Sequence, residues 1–131
     1  MQKVYDFVKN CGNYYLATVE GDQPRVRPFG SWVLFEGKIY IQTGKIKDVS
    51  KQLTANPKIE ICAFDGAGNW IRIQAVAVND DRLEAKQFVL ETMPELKDMY
   101  SPDDENTQVL YLTEVTATKY DFGGNGWQEK F

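Results

Sequence analysis

The sequence has no histidine, only two cysteines among its 131 residues, and no long apolar run. Without imidazole there is no Ser-His or Cys-His nucleophile pair, no His-ligated zinc or haem iron, and no histidine pH switch. Chemistry near neutral pH would therefore draw its reactive group from a cofactor. Cys11 and Cys62 fall in different predicted elements, which excludes a C-x-x-C redox motif or a thiolate zinc centre within the chain. Each has apolar neighbours and is expected to be a small buried hydrophobe. No apolar signal region opens the sequence and no segment is long enough to span a bilayer. The expectation is a cytoplasmic protein with no membrane partner.

What is present describes one folded unit. The 43% hydrophobic and 13% aromatic content can fill a core, and residues 1–131 are expected to form a single domain. Val4, Phe7, Val8 and Cys11 have the spacing of an amphipathic helix, stopped by Gly12. Tyr14 to Glu20 reads as a strand. The long extended run from Pro24 to Phe35 is interrupted by Pro28 and Gly30, so it is an edge strand or a strand with a bulge. Glu36-Gly37-Lys38 turns the chain into Ile39–Thr43. A short helix carrying Val49 and Leu53 ends at Asn56-Pro57. Strands follow at Lys58–Phe64 and Trp70–Val78, the first with Ile59, Ile61 and Ala63 on one face. Asp80 and Asp81 are expected to cap a helix that turns Leu83, Phe88, Val89 and Met93 inward. A short helical piece from Pro94, an acidic loop, a last strand over 108–119 and a tail rich in glycine and aromatics complete the chain. Short strands, tight turns and few helices predict a mainly β fold, an antiparallel barrel or half-closed sheet.

Net charge is −4, yet it is unevenly spread. Residues 23–58 hold seven cations against two carboxylates, and residues 80–105 hold nine carboxylates against three cations. Arg25 and Arg27 share one face of a strand, and Lys47 and Lys51 are four apart in a predicted helix. With the helix N-terminus nearby, this basic island suits one phosphate group. The acidic balance and the lack of a long basic stripe argue against a nucleic-acid partner. Neither G-x-x-x-x-G-K-[ST] nor G-x-G-x-x-G is present.

Three stretches, in order, carry a resemblance: Gln23-Pro24-Arg25-Val26-Arg27-Pro28-Phe29-Gly30, then Ile39-Tyr40-Ile41-Gln42-Thr43-Gly44, then Lys47-Asp48-Val49-Ser50-Lys51-Gln52-Leu53 running to Asn56-Pro57. Together they resemble the FMN-binding split-barrel family, which includes pyridoxamine 5′-phosphate oxidase and nitroimidazole-reductase-like proteins. The resemblance implies a six-stranded antiparallel split β-barrel with short flanking helices, a homodimer, and FMN at the subunit interface. It places Arg27, Pro28, Phe29 and Gly30 along the flavin, and Gln42, Thr43, Lys47 and Lys51 at its edge and phosphate. Trp70, with Arg72 on the same strand, and a C-terminal aromatic, Trp127 or Phe122, would come from the partner subunit. The implied activity is an FMN-dependent oxidoreductase acting on a small organic acceptor. The alternatives are a flavin carrier or sensor without turnover, and a deazaflavin-binding relative. Two departures stand out. Lys45-Ile46-Lys47-Asp48 replaces the family's Ser-Arg-Lys cluster, and the C-terminal Arg and His of true pyridoxamine phosphate oxidases are missing. The second argues against vitamin B6 oxidation, and the absent histidine also argues against the haem-degrading relatives.

Overall fold

The computed structural model describes residues 1–131. In chain order the elements are α1 (Gln2–Cys11), β1 (Tyr14–Glu20), β2 (Gln23–Phe29), β3 (Val33–Phe35), β4 (Lys38–Gly44), α2 (Asp48–Ala55), β5 (Lys58–Phe64), β6 (Trp70–Asn79), α3 (Leu83–Thr92), a 3-10 helix (Pro94–Asp98), β7 (Thr107–Tyr120) and β8 (Trp127–Lys130). All strand pairs are antiparallel, in the order β2-β1-β5-β6-β7-β4-β3, with β8 added to β7. The fold is mainly β, and its sheet curls without closing, as in a split barrel. No helix is long and apolar enough to cross a membrane.

Five of the six expected strands are present as read, the sixth is split in two, and a short strand in the tail makes eight. The run from Pro24 to Phe35 is divided at Gly30-Ser31-Trp32, so that β2 and β3 form opposite ends of the sheet. Pro24 and Pro28 sit on the β2 edge, where a missing N–H costs no ladder bond. Between β3 and β4 the two-residue turn Glu36-Gly37 has positive φ at both positions, matching strand twist. Part of the glycine-rich tail returns as β8.

Twenty buried side chains fill the barrel, with Leu16, Trp32, Ile41, Ile61, Ile71 and Ile73 among them. Alternation along β5 turns Ile59, Ile61 and Ala63 inward, which leaves Cys62 exposed and corrects its expected burial; Cys11 is half-buried. A second cluster outside the barrel packs Ala85 and Val89 of α3 on Val33, Tyr40 and Val109.

The phase of α3 differs from expectation. Its inward stripe is Ala85, Lys86, Val89 and Leu90, while Leu83 and Phe88 are exposed and Met93 is half-buried. The reason lies just before the helix. Asp80 does not cap it; the carboxylate accepts from the Arg82 backbone N–H at 3.1 Å, the Arg82 guanidinium at 2.9 Å and the Tyr40 hydroxyl at 2.7 Å. Arg82 also reaches Glu36 in the β3–β4 turn. This clip fixes how α3 meets the sheet. Its hydrogen bonds, those from Arg82 foremost, hold the buried Asp80 carboxyl down at about 2, from an ordinary 3.8. A depressed carboxyl stabilises the fold above its unfolded pKa, and that contribution is lost as pH falls through the folded value. Asp80→Asn should therefore cost about 2 kcal/mol near neutral pH. Urea titrations of both proteins should show the gap shrinking between about pH 4 and pH 2.

Candidate functional site

The division of the Pro24–Phe35 run sets up the site. After Phe29 the chain leaves β1, crosses the open end of the barrel and joins β4. The crossing is held from two sides. The Tyr14 hydroxyl donates to the Ser31 carbonyl at 2.6 Å, and the Ser31 hydroxyl bonds the backbone N–H and C=O of Gln42 at 2.8 and 3.2 Å. Beneath it lies a cavity of about 400 Å³ with Pro28, Phe29, Gly30 and Ser31 on one wall and Gln42 and Thr43 on another. A second cavity, of about 590 Å³, shares Pro28, Phe29 and Lys47 with the first and continues toward Arg27 and the start of α2. The joint space is large enough for a dinucleotide-sized or flavin-sized ligand.

Polar groups converge here. The Thr43 Oγ1 is the one buried side-chain oxygen or nitrogen in the chain without a hydrogen-bond partner, and Thr43 is only 2% exposed. The side chain of neighbouring Gln42 donates to the Thr43 carbonyl, which fixes that turn of strand. At the other end, half-buried Arg27 donates to the Leu16 carbonyl at 3.2 Å, to Thr18 Oγ1 at 2.7 Å and to Gln52 Oε1 at 2.7 Å. Those bonds use three of its five N–H groups and leave the edge formed by Nε and Nη2 free. No ion pair of the chain involves Arg27 or Lys47. Partial burial lowers the Arg27 pKa, as expected of a cation drawn out of water without an anion beside it. Lys47 is the N-cap residue of α2, no side chain caps that helix, and its first residues, Asp48 and Val49, line the second cavity with Lys47.

Of the residues expected in the site, Arg27, Pro28, Phe29, Gly30, Gln42, Thr43 and Lys47 line these two cavities. Three do not. Lys47 precedes α2 in extended conformation, so it and Lys51 do not share a helical face. Lys51 lines a separate, wholly polar pocket with Lys45 and Ser50. Trp70 stacks on Tyr120 at 4.2 Å, with the Arg72 guanidinium over both rings, at the far end of β6. Trp127 packs on the barrel core beneath Lys3. Arg25, though next to Arg27 on its face, is engaged by Glu20 at 2.8 Å.

The sequence reading missed the third wall, made by Met93, Leu96, Met99 and Tyr100 around the 3-10 helix, with Glu95 beside them. Its signal was present, because residues 93, 96 and 99 recur every third position, the repeat that aligns side chains on a 3-10 helix. The ring of Tyr100 closes against Gly44, where a Cβ would come within 3.1 Å of it.

A family model described as pyridoxamine 5′-phosphate oxidase matches residues 1–119. No curated protein matches the chain. Among solved structures, a NimC/NimA family protein from Clostridium acetobutylicum is 46% identical, with a TM-score of 0.97 over 100% of this chain and 92% of the other. A protein related to general stress protein 26, from the same organism, is 15% identical with a TM-score of 0.76, over 99% and 93% of the two chains. HutZ, a heme storage protein from Vibrio cholerae, is 18% identical with a TM-score of 0.66, over 85% and 87%. The latter two likenesses are of fold alone.

An orphaned buried hydroxyl is a liability in a protein with nothing bound. Thr43→Val should leave the ligand-free protein as stable as the parent or more so, by up to about 1 kcal/mol. Urea unfolding of the ligand-free proteins is the measurement, and a loss above about 1 kcal/mol would mean the hydroxyl has a structural partner.

Proposed function

Because the chain belongs to the pyridoxamine 5′-phosphate oxidase family and aligns throughout with a NimC/NimA member, we propose that it binds FMN and acts as an oxidoreductase on a small organic acceptor. The observation that carries this reading is the half-buried Arg27 guanidinium, free of any carboxylate and with an unpartnered edge, on the wall of a flavin-sized space. A phosphate monoester is the anion that such a fork matches. Arg27, Lys47 and the first amides of α2 would hold the phosphate. Phe29, Pro28 and the Gly30 backbone would lie along the ring. Thr43 Oγ1 and the Gln42 amide would meet its polar edge.

Bound FMN would supply the redox chemistry. The chain's part is to hold the ring, to donate hydrogen bonds at its edge, and to keep water off one face with Met93, Leu96 and Tyr100. Haem suits the residues less well, since the imidazole that commonly ligates its iron is missing. Vitamin B6 oxidation is disfavoured by the same absence.

A second copy of the chain fits the exposed sheet face formed by β2, β1 and β5. Tyr15, Val26 and Phe64 are 57%, 68% and 57% exposed there, an apolar surface unusual for a monomer. Trp70, and an aromatic from the tail, would reach the other subunit's flavin. Phe122 suits that role better than Trp127, being 92% exposed on the β7–β8 loop while Trp127 is packed in its own subunit.

Purified protein titrated with FMN should show a shifted flavin spectrum, quenched fluorescence and a raised melting temperature. No response in any of the three would sink the reading, and mass spectrometry of co-purified ligand would reveal a deazaflavin instead. Lys47→Glu should weaken FMN by about 10–100-fold, the scale of one charge-assisted contact reversed. Oxidation of NAD(P)H with a nitroaromatic acceptor separates an enzyme from a carrier. Light scattering at micromolar concentration should give the mass of a dimer, and Tyr15→Glu with Phe64→Glu should give a monomer with weakened FMN.

A further inference from the structure

We infer that Gln52 is the positioning residue of the anion site: a neutral amide set between Glu20 and Arg27, it fixes the guanidinium without neutralising it. The identity of the anion as the FMN phosphate rests on the reading above; the role of the amide does not.

Gln52 is 6% exposed on the inner face of α2. Its Oε1 accepts from Arg27 Nη2 at 2.7 Å and from Thr18 Oγ1 at 2.5 Å, while Arg27 Nη1 donates to that same Thr18 oxygen at 2.7 Å. Arginine, threonine and glutamine thus close a ring, and two oxygens so close together take the end edge of the guanidinium. The side edge, Nε–H and the adjacent Nη2–H, is left to a ligand. On its other side the Gln52 Nε2 donates to Glu20 Oε2 at 3.3 Å. A reversed amide would set two donors against each other at Arg27 and two acceptors against each other at Glu20, so the ring admits one orientation only.

Glu20 is the carboxylate on the far side of Gln52 from Arg27. Its Oε1 is taken by Arg25 at 2.8 Å and its Oε2 by Gln52. The amide therefore occupies the position from which a carboxylate would reach Arg27. Arg25, Arg27 and Lys47 line this cavity against Glu20 and Asp48, one positive charge in excess. A glutamate at position 52 would satisfy the same two donors and bond the guanidinium more strongly, but it would remove that excess.

The test compares Gln52→Glu, Glu20→Gln and the double variant, which moves the carboxylate from 20 to 52 at constant net charge. FMN and riboflavin are titrated by fluorescence, and inorganic phosphate by thermal shift. Gln52→Glu should lose about 10–100-fold in FMN affinity while riboflavin changes by less than about threefold. The double variant should stay as weak as Gln52→Glu, because contact with Arg27 decides the outcome and net charge does not. Recovery in the double variant, or an equal loss for riboflavin, overturns the inference. If Gln52→Glu does not fold, Gln52→Met should show a loss of about 3–10-fold confined to FMN, and an unchanged affinity overturns the inference. A parent protein that takes no FMN refutes the flavin reading alone, provided phosphate raises its melting temperature and not that of Gln52→Glu. If phosphate stabilises both alike, or neither, the role of Gln52 is refuted.

Discussion

The arrangement depends on one crossing of the chain, Gly30-Ser31-Trp32, between the two ends of an open sheet. On one side β2 has only β1 as a neighbour; on the other, β3 has only β4. The residues between them must span the mouth of the barrel without a ladder: the Ser31 carbonyl accepts from the Tyr14 hydroxyl, and the Ser31 hydroxyl ties the crossing to the Gln42 backbone. Trp32 follows with its ring buried and its indole N–H on the Tyr5 carbonyl, so the crossing is pinned to α1 as well. A closed barrel would have put a ladder where this chain leaves a space. The cavity is thus a consequence of the topology: two of its walls come from β2 and β4, which no ladder joins across the gap, and the third from the 3-10 helix.

Charge is handled in the same local way. A chain of net charge −4 is a poor general host for anions, and its basic segment is not uniformly basic in space. Arg25 pairs with Glu20, Lys45 lies near Asp81, and Arg82 is committed to Asp80 and Glu36. What is left unpaired at the cavity is Arg27 with Lys47. Nor is the acidic half simply a solvated face. Asp80 anchors α3, and Asp104 accepts the backbone N–H groups of Ser101, Asn106 and Thr107 to knot the loop before β7. Asn106 in turn accepts from Ile46 and holds the turn that carries Lys47.

How much of this was legible in the sequence follows from the range of each interaction. Strand alternation and turn residues are local, and they located five of the six expected strands to within a few residues. The same alternation, followed through β5, puts Cys62 on the outer face opposite Ile61. The break in the Pro24–Phe35 run was visible as Pro28 and Gly30, but its meaning was not. Whether such a run bends or divides depends on which strands lie beside it, and those come from β1 and β4. The phase of α3 failed for a similar reason. Asp80 is two residues from Arg82, but its other partner, Tyr40, lies 40 residues away. The cavity-lining residues on β2 and β4 were readable from pattern and resemblance; Lys51 lines a separate pocket because Lys47 is the extended residue before α2 and not part of its helical face.

The absent histidine acquires a structural sense at this point. Among the groups on the two cavities, those placed to meet an anion or a ring edge are a guanidinium, an ammonium, a threonine hydroxyl and two glutamine amides. All are suited to holding a charged, planar ligand in a fixed electrostatic setting, and none is an imidazole. Arg27 illustrates the design. Burial lowers its pKa, but from a value so far above neutrality that its charge persists, and its neutral partners Thr18 and Gln52 steer it without cancelling it. A carboxylate in either place would have made a stronger bond and a worse anion site. The ring around Arg27 therefore leaves a charge available and forgoes the strongest bond, which is the property the proposed anion site requires.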